Sequence, residues 1–188
     1  MVTGATSLET LNAAQVAAVL GLLPHREGGF FRETYRSPVV TPTPLGPRSL
    51  STSILYLLTA DDPSRFHRLR FDEVWFFHAG APAEMVFLDP LETHVIEPNA
   101  PQALAPGGRW MAARVAEPPG LDDEGAAQGT SEDEGLDPAT VGARPDWALV
   151  GCVVSPGFEY DDFEAGSRET LLATYPEASD YIRGLTGG

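Results

Sequence analysis

The chain has 188 residues, 43% of them hydrophobic, enough for one domain (1–188) with a buried core and too apolar for a disordered chain. Its formal charge of −15 sets it against nucleic acid and anionic membrane surfaces, because the overall field repels phosphates. All twelve basic residues are arginine, which excludes Schiff-base chemistry and a P-loop lysine, and a single cysteine excludes an intramolecular disulfide and a multi-cysteine zinc cage.

Nineteen glycines and seventeen prolines favour short elements joined by turns. Asn12 followed by Gln15 predicts a capping box, and the helix formers Ala13–Leu20, closed by Gly21, predict one short N-terminal helix. Pro24-His25-Arg26-Glu27-Gly28-Gly29 is turn-forming, Phe30–Ser37 alternates as a strand does, and the proline-rich stretch 39–48 reads as a loop. Strands are predicted at Thr52–Thr59, Glu73–His78, Ala83–Leu88, Thr93–Ile96, Trp110–Val115 and Trp147–Val154, spaced as in a sandwich or barrel. Cys152 lies in the last of these apolar runs and reads as a buried, inert thiol. Residues 117–146 carry nine acidic side chains against one arginine, and are predicted to be a mobile acidic insertion. Helices are expected at Arg168–Tyr175 and Glu177–Arg183, split by Pro176. The N-terminus has no basic segment leading into a long apolar one, and no stretch approaches 18 apolar residues, so the expected location is the cytoplasm.

Chemistry concentrates at 66–80. In a strand Glu73, Trp75 and Phe77 share one face, and with His67 turned inward an imidazole and a carboxylate occupy one aromatic-walled cavity. His78 falls on the other face and is expected at the surface, as is His94. His25, in the glycine-rich turn, either caps a backbone group or lines the pocket. Arg32 and Arg36 are spaced to bind a phosphate or carboxylate from one strand face; the alternative pairs Arg32 with Glu33 or Asp162.

These residues resemble the cupin superfamily. His67 matches the first His of its first motif, Glu73 the Glu and Gly80 the Gly, with Leu69 at the second His position. The run Gly151–Tyr160 is similar to the second motif, and its third His position falls near Tyr160. The segments Leu22–Ser37, Asp72–Trp75 and Pro156–Phe163, the last a PGFxxxDF-type second motif, resemble one branch, a domain-of-unknown-function family. The resemblance implies an all-β double-stranded β-helix (jelly roll), here with the short N-terminal helix and C-terminal helices, and usually a homodimer. Typical members hold a divalent metal with three His and one Glu. Only His67 and Glu73 match, so no cofactor is expected, and a metal stays open if Tyr160, Asp162 or His25 completes the set. Metal-free members that epimerise sugar nucleotides use a His base and a Tyr acid, which His67 and Tyr160 match by motif, with Glu73 beside them. Arg32, Trp75, Phe77 and Asp162 are then the substrate contacts. The leading expectation is a metal-independent isomerase or epimerase acting on a small polar, sugar-like metabolite. A non-catalytic binding module, a metal-dependent enzyme and a purely structural His67–Glu73 pair remain the alternatives.

Overall fold

A computed structural model describes residues 7–118 and 144–187. The predicted acidic insertion lies, over 119–143, outside the described residues. Among the described residues there are thirteen strands and three α-helices, the strands being β1 (Leu23–Pro24), β2 (Phe30–Arg36), β3 (Val40–Thr43), β4 (Gly46–Ser49), β5 (Thr52–Thr59), β6 (Ser64–Leu69), β7 (Asp72–Gly80), β8 (Ala83–Phe87), β9 (Glu92–Ile96), β10 (Gln102–Ala105), β11 (Met111–Val115), β12 (Trp147–Ser155) and β13 (Phe163–Ala165). Helix α1 (Ala13–Leu20) precedes them, and α2 (Arg168–Thr174) and α3 (Ser179–Gly184) close the chain.

The strands form two antiparallel sheets, β1-β2-β5-β12-β7-β10 and β13-β6-β11-β8-β9, packed face to face as a double-stranded β-helix. Tyr56, Leu58, Trp75, Met85, Phe87, Met111, Val150 and Cys152 fill the space between them. Helices cover both outer faces. Helix α1 lays Val16 and Ala17 on Leu57, Trp147 and Leu149, while α2 and α3 lay Leu171 and Ile182 on Phe66, Val86 and Ala112. This explains why β5 and β12 read as continuous apolar runs: both faces are buried, and each such leucine contributes roughly 1.5–3 kcal/mol.

Helix α1 begins and ends as predicted. Asn12 Oδ1 accepts from the Gln15 N–H and Gln15 Oε1 accepts from the Asn12 N–H, both at 3.0 Å, and Gly21 closes the helix with φ +63°. Several strands differ from expectation, among them the short β1 and β13, which the sequence does not announce. The stretch 39–48, predicted as a loop, holds β3 and forms with β4 a separate two-stranded hairpin in which Pro42 stands opposite Pro47. A two-stranded ribbon has an outer side on every strand, so its prolines need not supply ladder N–H groups. Strand β6, which carries His67, was not foreseen because Arg65 and Arg68 interrupt its apolar pattern. Its pairing with β11 also slips by one residue, with Met111 opposite His67 and Ala113 opposite Ser64. Strand β10 is short, half exposed and equally unforeseen.

Candidate functional site

One end of the barrel holds a cavity of about 250 Å³. Strand β6 supplies His67 and Leu69, β7 supplies Glu73, and β12 supplies Cys152 and Val154. The turn between β1 and β2 adds His25 and Glu27, strand β2 adds Phe31, Glu33 and Arg36, and the loop after β12 adds Phe158, Glu159 and Tyr160. His67 and Glu73 belong to different sheets and face each other across the barrel.

The residue that organises this chamber is Glu27, whose glycine-rich surroundings in the sequence signal only a turn. Its Oε2 lies 2.9 Å from His67 Nδ1 and its Oε1 3.3 Å from His25 Nδ1. The Arg65 carbonyl also accepts from His67 Nδ1, at 2.8 Å. Two acceptors on Nδ1 require a proton there, which leaves Nε2 as the nitrogen available to the cavity. Glu27 reaches this depth because its turn is tied down on several sides. Tyr56 Oη donates to the Gly28 carbonyl at 2.8 Å, the Gly29 N–H donates to Asp62 Oδ2 at 2.9 Å, and the Arg65 N–H donates to the Glu27 carbonyl at 2.8 Å. Glycine is needed at both following positions. Gly28 has φ +114° and a Cβ there would stand 2.0 Å from the Pro63 carbonyl; Gly29 has φ +66° and its Cβ would stand 2.5 Å from the Leu57 carbonyl.

Electrostatics follow from this burial. Desolvation works against a charged His67, but the Glu27 carboxylate overrides it and raises the imidazole to about 9. Burial likewise favours a neutral Glu27, and here the His67 imidazolium and then the His25 hydrogen bond prevail, lowering the carboxyl to about 2. Glu73 has no such partner. Burial pushes it up to about 7, against the pull of His67 and with the repulsion of Glu27, while Trp75 Nε1 donates to its Oε2 at 2.7 Å. The chamber therefore holds an ion pair beside a carboxyl poised near neutrality. Burial also pushes the Cys152 thiol up, so it lines the wall as an inert group.

Other predicted contacts lie elsewhere. Trp75 is fully buried behind Glu73 and Phe77 is half-buried beyond the lining, so Phe31, Phe158 and Phe163 supply the aromatic surface instead. Phe163 stacks on the His67 ring with centroids 5.4 Å apart. Arg32 is exposed on the face opposite Phe31 and Glu33. The β2–β5 pairing slips between Glu33 and Tyr35, and this brings Arg36, not Arg32, to the cavity. Arg36 does not stand ready for an anion, being hydrogen-bonded to Glu33 and Glu159. Asp162 is buried outside the cavity, where Arg48 grips it through Nε at 2.8 Å and Nη2 at 3.1 Å. The pair holds the second-motif loop to β4. Tyr160 sits at the mouth, 44% exposed, with the Arg26 guanidinium 4.3 Å from its ring centroid. His78 and His94 are on the surface, as expected.

The donor set does not fit a three-His, one-Glu metal centre. Leu69 puts an apolar wall at the second His position, Asp162 is committed to Arg48, the Nδ1 atoms of His25 and His67 are turned to the Glu27 carboxylate, and among the described residues no group of three or more His, Cys, Asp or Glu side chains is arranged to hold a metal ion.

Two stacked antiparallel sheets enclosing an end cavity define a jelly-roll barrel. The family model described as "Cupin superfamily (DUF985)" matches residues 14–166, and the chain belongs to that family. It is similar to a solved protein from Shewanella oneidensis, with 34% identity over 94% of this chain and 98% of that one and a TM-score of 0.72. A hypothetical protein from Leishmania major is 28% identical over 95% and 100% of the two chains, with a TM-score of 0.75. A cupin 2 conserved barrel domain protein from Rhodopseudomonas palustris, 10% identical over 88% of both chains, shares the fold at a TM-score of 0.52. No curated protein matches the chain. Among the described residues no helix is long and apolar enough to cross a membrane.

Proposed function

We propose that the barrel binds a small polar metabolite and moves a proton on it, as an isomerase or epimerase does, using its own side chains. The observation that carries this reading is the pairing of unlike titrations in one chamber. Glu73 sits at about 7, where a carboxylate can take and return a proton, while Glu27 holds His67 as a cation. Titratable groups whose surroundings push them apart divide the roles of base and acid between them. The roles supported in this way reverse part of the motif assignment. Glu73 removes a proton from a carbon beside a carbonyl, the electron pair moves onto the carbonyl oxygen, and the His67 imidazolium protonates that oxygen through Nε2. Glu73 then returns the proton to the former carbonyl carbon while neutral His67 takes up the proton of the neighbouring hydroxyl, which becomes the new carbonyl, so the isomer forms and both side chains regain their starting protonation. Tyr160, exposed at the mouth, serves as a contact for the bound molecule. A chamber of about 250 Å³ falls below the roughly 300–1,000 Å³ of drug-sized sites, which favours a monosaccharide-sized metabolite over a whole sugar nucleotide.

The test is proton NMR in D₂O with a panel of aldoses, ketoses and small hydroxycarbonyl compounds. Loss of one C–H signal is expected with the unaltered protein, and Glu73→Gln should slow it by roughly 10²–10⁴-fold. Unchanged exchange in that variant removes the role given to Glu73. A compound that saturates the chamber with no exchange at all replaces catalysis by simple binding.

A further inference from the structure

Arginine in a ligand cavity is ordinarily the receptor for a phosphate or carboxylate, because its planar fork matches their oxygens. Arg36 is already occupied in that manner by the protein. Its Nε and Nη2 reach both Glu33 oxygens at 3.1 and 2.8 Å, its Nη1 reaches Glu159 Oε1 at 2.8 Å, and Nη2 also donates to the Phe158 carbonyl at 3.2 Å. These four bonds leave one of the five guanidinium N–H donors. Behind this exposed collar lie Glu27, paired with His67, and Glu73. Four carboxyl groups thus line a cavity that holds one guanidinium and one imidazolium, the remaining titratable lining groups being His25, Cys152 and Tyr160. An anion entering here meets carboxylates at the mouth and again at depth, in a low-dielectric space where like charges repel strongly.

We propose that the molecule bound in this chamber is uncharged or cationic, and that the Glu33–Arg36–Glu159 collar refuses phosphorylated and carboxylated compounds. This rests on the reading of the chamber as the functional site. The two parts can fail separately: proton exchange on an anionic sugar would end the ligand class and leave the role of Glu73 standing. The direct test is titration with inorganic phosphate while following the His67 imidazole signals by NMR. Phosphate should leave them unmoved in the unaltered protein. The Glu33→Gln, Glu159→Gln double variant frees the guanidinium, so phosphate should shift the His67 signals in a saturable way, at least about tenfold tighter than in the parent. Adding Arg36→Ala should abolish that response. A saturable His67 shift in the unaltered protein, whether it depends on Arg36 or on Arg26 beside the mouth, would overturn the proposal. So would a double variant that gains nothing.

Discussion

Replacing Glu73 by Gln should make the protein more stable above neutral pH while disabling it. The carboxyl is raised from 4.5 to about 7 because its charge is desolvated, so the folded state prefers it protonated. For a group raised on folding, the favourable contribution is complete below the unfolded value of 4.5 and is lost as pH climbs through 7. At about 1.4 kcal/mol per pH unit, ionising Glu73 in the folded protein costs about 3 kcal/mol. Gln has the shape of the neutral acid and keeps an oxygen for the Trp75 indole, so the variant escapes that cost. Guanidinium unfolding at about pH 4 and about pH 8.5 measures it. The two proteins should be nearly equal at the lower pH, and the variant more stable by about 3 kcal/mol at the higher. In thermal scans the gain is on the order of 10 °C for a chain of this size. Equal stability at both values, or a variant weaker at pH 8.5, would refute the claim that the chamber strains this carboxylate.

Two further outcomes follow from the turn that carries Glu27. Glu27→Gln leaves the buried His67 without its counter-charge, so the imidazole should fall from about 9 to below 6.5, as histidine NMR titration reads directly; at neutral pH the loss of stability is about 3 kcal/mol, and a value still near 9 would show that Glu27 is not the cause. Gly28→Ala places a Cβ against the Pro63 carbonyl at positive φ, so it should cost more than about 1 kcal/mol and, by shifting the turn, lower His67 as well; unaltered stability and titration would contradict the account of that turn.

The parts of this structure legible in the sequence are those with local causes. Helix α1 carries its own caps in Asn12, Gln15 and Gly21, and β5 and β12 are apolar enough to be recognised by composition. The facing of His67 and Glu73 follows from strand parity with His67 turned inward, and both line the end cavity of the barrel. What escaped depends on distant partners or on slipped pairing. Nothing near Glu27 announces that it meets a histidine forty residues later. Asp162 finds Arg48 rather than Arg32, because the hairpin β3–β4, hidden by its prolines, lies alongside the second-motif loop. Arg32 and Arg36 share a parity in the sequence but not a face, since the irregularity between Glu33 and Tyr35 intervenes.

The slip in β6 has a consequence of its own. Ser64 and His67 stand opposite Ala113 and Met111, two inward positions of β11, although an odd number of steps separates them along their own strand. One supernumerary residue therefore decides whether the imidazole meets the chamber or the helices outside. Paired regularly from Ser64 with no residue accommodated in the slip, the strand would set Phe66 opposite Met111 and turn His67 toward the helices, emptying the chamber of its cation with every functional side chain still present in the chain.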